Sequence, residues 1–133
     1  MKKVEVQSSS HSQMIDITAD LAESIPAGFQ NGICHVFVRH TTCAVTINEN
    51  ADPDVKSDIL AMLDKLVPWR QNFFRHFEEN SAAHVKSSLL GFSAAIPVRN
   101  GKLDLGRWQD VYLSEFDGPK RRQLTGQFIR ESE

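Results

Sequence analysis

The sequence predicts an α+β fold, a compact and mostly antiparallel β-sandwich with about three helices. Three observations predict it. Short runs of alternating apolar and polar residues recur along the chain, as strands with one buried face require. Two longer stretches carry apolar residues at helical spacing between recognisable start and stop signals. The two kinds of element do not alternate in a regular strand–helix–strand rhythm, which argues against a doubly wound parallel sheet.

The elements follow in order. Lys2–Gln7 alternates Val4 and Val6 with Glu5 and Gln7 and reads as a first strand. Ser8–Gln13 is a turn, and Met14–Thr18 a second strand making a hairpin with the first. Thr18 or Asp20 caps a short helix carrying Leu21, Ala22, Ile25 and Phe29, and Asn31-Gly32 turns the chain. Ile33–His40 is the clearest strand, with Ile33, His35 and Phe37 on one face and Cys34, Val36, Val38 and His40 on the other. Ala44–Ile47 is the next. Asp52-Pro53-Asp54 opens a helix, with Asp52 as N-cap and Pro53 in the first turn. Val55, Ile59, Met62, Leu63 and Leu66 form its apolar stripe, and Pro68 ends it. Trp69–Glu79 is irregular, and Phe73, Phe74 and Phe77 are expected to pack inward. Asn80–Leu90 is a second helix, capped by Asn80, stopped by Gly91 and buried through Ala83, Val85, Leu89 and Leu90. Phe92–Val98, an Asn100-Gly101 turn, Lys102–Leu105, Gly106–Phe116, an Asp117-Gly118-Pro119 turn and Gln123–Ile129 read as closing antiparallel strands.

The 133 residues are read as a single domain, 1–133. Hydrophobic residues make up 41% and charged residues 24%, an ordinary balance for a soluble globular chain. A net charge of −2 argues against a protein that lives on bulk nucleic acid or anionic lipid. No apolar run approaches the roughly 20 residues a membrane span needs. The polar stretch Met1–Gln13 has no secretory core, and Cys34 and Cys43 are too few for a disulfide framework. A cytoplasmic protein with two reduced thiols is the expectation.

Side chains able to do chemistry concentrate in His40–Asp58, where a strand delivers the chain into a polar cluster and a helix carries it away. His40 ends its strand at the rim of the core, and His76, Asn80 and His84 recur every four residues. Neutral imidazole is a common transition-metal ligand, and three of them leave positions open for water or substrate, so His40, His76 and His84 are candidate metal ligands. Spacing leaves structural histidines as the competing reading, and His35 and His11 are read as structural and solvated. Glu49, between Asn48 and Asn50, is a candidate general base, metal ligand or orienting group. Lys120, Arg121 and Arg122 follow a Gly-Pro turn and offer an anion clamp, or else a charged edge that blocks aggregation. Trp108 is read as a core or interface residue.

Three stretches, HTTCAVTINENADPDV, AHVKSSLLG and GKLDLGRWQDVYLSEFDGPKRR, together resemble the YjbQ family, described also as secondary thiamine-phosphate synthases. The resemblance extends from the first strand to about Phe128. It implies a homotrimer with a pocket near the subunit interfaces and a metal site at His40, His76 and His84. It also implies a transferase activity joining a pyrimidine pyrophosphate to a thiazole phosphate. On that reading a divalent metal, zinc foremost, serves the site, with magnesium accompanying a pyrophosphate substrate. His40 and Glu49 are then catalytic, and Asn48, Lys120, Arg121 and Arg122 bind a small phosphorylated metabolite. A metal-dependent hydrolase of such a metabolite and a non-enzymatic trimer that binds one are the alternatives. Arg107 departs from the Thr or Ser the family places between Gly and Trp, which puts a cation there instead of a small hydroxyl.

Overall fold

A computed structural model describes residues 1–132. Eight strands and three helices follow one another as β1 (Lys2–Gln7), β2 (Gln13–Asp16), α1 (Thr18–Glu23), β3 (Gly32–Val38), β4 (Cys43–Glu49), α2 (Pro53–Leu66), α3 (Ser81–Leu90), β5 (Ser93–Arg99), β6 (Lys102–Leu103), β7 (Gln109–Glu115) and β8 (Arg121–Arg130). They make a five-stranded sheet in the order β1-β8-β3-β5-β6 and a three-stranded sheet in the order β2-β7-β4. Every strand pairing is antiparallel. The fold is therefore α+β, as the alternation predicts.

The core lies between the two sheets. Val4, Val36, Ile96 and Leu124 from the larger sheet meet Val45, Val111 and Leu113 from the smaller one. A second apolar cluster joins Ala83 of α3 and Leu63 of α2 to Ala44 and Phe116. The helix starts and turns are local chemistry. Asp52 caps α2 by accepting the Asp54 N–H at 2.9 Å. Asn100 and Gly101, with φ of 53° and 75°, close the β5–β6 hairpin, a left-handed pair that Asn-Gly adopts at little cost.

Several expectations are corrected. The hairpin of the first two strands does not form: β1 pairs with β8, and β2 with β7 in the other sheet. Phe73 and Phe77 do not pack inward and are 69% and 86% exposed. On α3 the residues that go inside are Ala82, Ala83, Lys86 and Ser87, while Val85 and Leu89 face out. Small side chains let this helix lie close against β4, so its packed face is its small face and not its most apolar one. Asn80 stands at the start of α3 but makes no side-chain cap, because its amide is turned to Asp117. Met62 and Leu66 of the α2 stripe are exposed, and Trp108 is exposed beneath the Arg107 guanidinium, 4.7 Å from its ring.

Candidate functional site

The side chains singled out in the sequence are distributed over three places. The first is the corner where β3 leaves its sheet and the chain crosses through His40, Thr41 and Thr42 into β4. Arg122 is the second residue of β8 and points inward, because a strand sends successive side chains to opposite faces. It is 3% exposed and meets Glu115, at 0% exposure, at the end of β7. Arg122 Nε donates to Glu115 Oε1 at 2.8 Å, and Nη2 donates to Glu115 Oε2 and to Thr42 Oγ1 at 2.8 Å and Thr42 O at 3.2 Å. Ser8 Oγ donates to Glu115 Oε1 at 2.7 Å and accepts the Lys120 N–H at 2.8 Å. Burial alone would raise the Glu115 carboxyl, but Arg122, Ser8 and the Asp117 N–H together hold it below the usual glutamate range. This buried pair is complete within the protein. Arg122 is a structural anchor for the corner, which corrects its expected role as a ligand clamp.

His40 hangs from that anchor. Its Nε2 accepts the Gln123 N–H at 2.8 Å. A ring nitrogen that accepts carries no proton, so the neutral ring holds its proton on Nδ1. Burial, and after it the Arg122 guanidinium, keep the imidazole's pKa below its ordinary value. The ring lines a groove with Phe37, Val38, Arg39, Thr41 and Phe92. Lys120 is half exposed and donates to Asp117 Oδ2 at 2.7 Å, and Arg121, on the opposite face of β8 from Arg122, is exposed.

The second place is the surface between the 69–79 loop and α3. His76 and His84 stack edge-on with ring centroids 5.3 Å apart, and His76 Nε2 lies 3.7 Å from Glu78 Oε1. Phe73, Phe74, Arg75, Ser81 and Val85 complete the lining. The two histidines meet as their spacing predicts, but His40 does not join them. Among the described residues no group of three His, Cys, Asp or Glu side chains stands together as metal ligands. His40 has also committed Nε2 to the backbone. The residues of one chain do not fit the three-histidine metal site.

The third place is the far end of the smaller sheet. Glu49 closes the seven-residue β4, six residues on from Cys43, so about 20 Å of strand separates it from the His40 corner. Glu49 and His40 therefore cannot act on one small substrate from a single chain. Asn48 uses its Oδ1 to accept the Glu49 N–H at 2.7 Å. Nearby, the buried Tyr112 donates its hydroxyl to Asn50 Oδ1 at 3.1 Å and to Glu49 O at 3.2 Å. Lys56 of α2 lies over the Tyr112 ring at 5.2 Å. Burial, then the hydrogen bond and charge of Asp16, raise Asp110 to about 6. For Asp16, burial is outweighed by the Asp110 and Thr18 hydrogen bonds, and its carboxyl sits below the usual range. Two carboxyls sharing a proton beside a lysine can release it near neutral pH.

Sequence reasoning missed Ser8, Glu115 and the Asp16–Asp110 pair. Glu115 had one available signal, an acid that closes a strand just after the run Val111-Tyr112-Leu113 and stands before the Gly118-Pro119 turn. Nothing local marks Asp16 and Asp110, which the β2–β7 pairing alone brings together.

The family model described as UPF0047 protein YjbQ-like matches residues 2–131. UPF0047 protein YugU of Bacillus subtilis is 44% identical over 123 residues, covering 92% of this chain and 93% of that protein. A UPF0047 protein of Methanocaldococcus jannaschii is likewise 44% identical over 92% of this chain and 88% of its own length. A crystal structure from Clostridium acetobutylicum, described as an uncharacterized conserved protein of the yjbq/upf0047 family, superimposes with a TM-score of 0.94 at 45% identity, covering 97% of this chain and all of that one. A YbjQ-like protein of unknown function from Sulfolobus solfataricus gives a TM-score of 0.92 at 31% identity, covering 98% and 96%. None of these relatives is named for thiamine-phosphate synthesis. With the metal-ligand set not assembled, the expectation of a thiamine-phosphate synthase at a histidine-lined metal centre is overturned, and the metal-dependent hydrolase falls with it.

Proposed function

The chain belongs to the UPF0047 protein YjbQ-like family, and from that premise we propose that it recognises a small phosphate- or carboxylate-bearing molecule at the His40 corner. One observation carries this reading. The Gln123 N–H fixes His40 with its protonated Nδ1 as a donor, and the ring lines a groove beside Arg39. Nδ1–H has no hydrogen-bond acceptor among the described residues, and Lys120 and Arg39 add positive charge near the ring. A fixed neutral donor with cations around it suits an anion's oxygens. Phe37 and Phe92 supply apolar walls for the rest of the ligand. Arg122 and Glu115 act from behind, by holding the crossing in place.

The proposal includes self-association of the chain in a cytoplasmic setting. Exposed large apolar side chains, among them Ile33, Phe37, Phe73, Phe77, Leu89 and Ile129, support the first part. Two free buried thiols suit the second, Cys34 pushed up to about 11 and Cys43 to about 12 by burial.

Titration of the protein with inorganic phosphate and with pyrophosphate, followed by calorimetry and by amide shifts of residues 37–41, tests the reading. Saturable shifts that are lost in Arg39→Ala and in His40→Phe are expected. Shifts spread over all surface lysines, or unchanged in both variants, would overturn it.

A further inference from the structure

Residues 67–80 join α2 to α3 and shape a cavity that shares no lining residue with the His40 groove. Pro68 stops α2, and two tight turns follow. The Phe74 N–H donates to Gln71 O at 3.2 Å, and the Glu79 N–H to His76 O at 3.1 Å. The turns wrap a space of about 410 Å³ lined by Trp69, Arg70, Gln71, Phe74, His76 and Glu79. That is the small end of the roughly 300–1,000 Å³ that ligand pockets occupy. The three rings of the lining are each held by a ring outside it. His11 meets Trp69 edge-on with centroids 4.4 Å apart, Phe73 meets Phe74 at 5.2 Å, and His84 meets His76 at 5.3 Å. Trp69 also packs against the cluster of Leu63 and Phe116. Rings fixed before a ligand arrives lose little freedom when it binds.

The polar lining is uncommitted. Among the described residues the side chains of Arg70, Gln71 and Glu79 make no hydrogen bond, and Arg70 and Glu79 form no ion pair with each other or with any other group. Opposite charges on one cavity wall that do not meet leave a dipole across the space between them. Glu79 is unusual in its backbone too. Its φ of 60° lies in the left-handed region, where Gly and Asn rest most easily and a glutamate costs energy. The turn into α3 thus carries a carboxylate at a position that glycine would hold without strain.

We propose that this cavity binds a small zwitterion of the amino-acid or betaine kind. Its ammonium group sits against the Trp69 and Phe74 rings with Glu79 as counter-ion, and its carboxylate takes the Arg70 guanidinium. Aromatic rings attract an alkylated ammonium through the ring quadrupole, and a carboxylate beside them adds charge. Arginine meets a carboxylate with two parallel hydrogen bonds. A ligand whose own dipole opposes that of the cavity answers both charges at once. A lone anion is repelled by Glu79 and a lone cation by Arg70, so either half of the ligand binds more weakly than the whole. The two sites of the chain then differ in kind: the His40 corner takes a single anionic group, and this cavity takes paired charges.

Calorimetry and tryptophan fluorescence of the full chain test this, in a Trp108→Phe background so that Trp69 is the one tryptophan reporting. The probes are glycine betaine, L-alanine, tetramethylammonium and acetate. Saturable binding of glycine betaine or L-alanine at or below about 1 mM is expected, with tetramethylammonium and acetate at least about tenfold weaker. Glu79→Gln and Arg70→Ala each weaken the zwitterion about tenfold or more. Glu79→Gln spares acetate, and Arg70→Ala spares tetramethylammonium. Glu79→Gly separates binding from folding: it unfolds no earlier than the parent on heating, yet binds as poorly as Glu79→Gln. No saturable binding of either zwitterion up to about 10 mM overturns the site. Binding unchanged in both Glu79→Gln and Arg70→Ala overturns its location. Tetramethylammonium or acetate bound as tightly as the zwitterion overturns the ligand class. A Glu79→Gly chain that unfolds earlier than the parent shows Glu79 serving the fold and overturns its role in binding.

Discussion

The His40 corner and the 69–79 loop are built from similar residues, and they have opposite characters. Both gather rings and charges around a histidine. In the corner, Arg122, Glu115, Ser8 and Thr42 satisfy one another inside the protein, and His40 is tied by one nitrogen to the backbone of β8. In the loop, His76 and His84 touch each other and neighbouring phenylalanines on an open surface. The difference teaches that residue type does not decide whether a polar group holds a fold or serves a ligand. What decides it is whether the fold completes its hydrogen bonds.

The sharpest way to break this comparison is Arg122→Ala. It leaves the Glu115 carboxylate buried without its counter-ion, and a loss of about 3–5 kcal/mol in urea unfolding is expected. A loss below about 1 kcal/mol would mean the corner is no better knit than the loop. His40→Phe comes next. The Gln123 N–H loses its acceptor, at a cost of about 1–3 kcal/mol in the same measurement. This variant also sharpens the contrast through pH. The folded state holds His40 below its ordinary pKa, so the unfolded chain takes up the proton first as pH falls. The stability His40 contributes is present above 6.5 and is lost below it, and His40→Phe should flatten that part of the pH–stability curve.

Asp110→Asn should act in the opposite sense. Asp110 is raised to about 6, so its protonated form stabilises the folded chain in acid, and that contribution is lost as pH rises from 3.8 to about 6. The neutral amide keeps a donor toward Asp16, and thermal unfolding at pH 7 should move to higher temperature. The smallest effect is expected from the double variant His76→Ala, His84→Ala. With His76 exposed and His84 half-buried, and neither ring hydrogen-bonded to the backbone, the pair should change stability by no more than about 0.5 kcal/mol. Metal analysis of parent and double variant should return the same content, and a metal lost with the two rings would overturn the separation of His40 from them.

Much of the fold could be read in advance, because alternation and caps are local. The burial pattern of β3 and the Asp52 cap follow from a few neighbouring residues. The site was less legible. The Lys120–Arg122 run looks like one clamp, yet strand alternation alone sends Arg121 out and Arg122 in, a signal that was available. The inward packing expected of Phe73, Phe77, Val85 and Leu89 rested on apolarity. Close helix-on-strand packing selected Ala82, Ala83 and Ser87 instead, which size and not hydrophobicity predicts. Sequence distance cannot say that His40 and Glu49 end up at opposite ends of a strand's length, nor that Asp117, by accepting from Nδ2, turns the Asn80 side chain away from its capping position.

The pairing of β1 with β8 sets an order of events during synthesis. Among the eight strands β1 is made first, and its partner β8, which slots between β1 and β3, is made last. Until Arg121–Arg130 leave the ribosome, β1 has no neighbour and β3 keeps one edge open. The five-stranded sheet therefore closes only after the other seven strands have been made, over a long loop and at the slow pace that non-local pairing imposes. A nascent chain halted before Arg121 displays two unpaired strand edges, a species suited to chaperones and prone to aggregate.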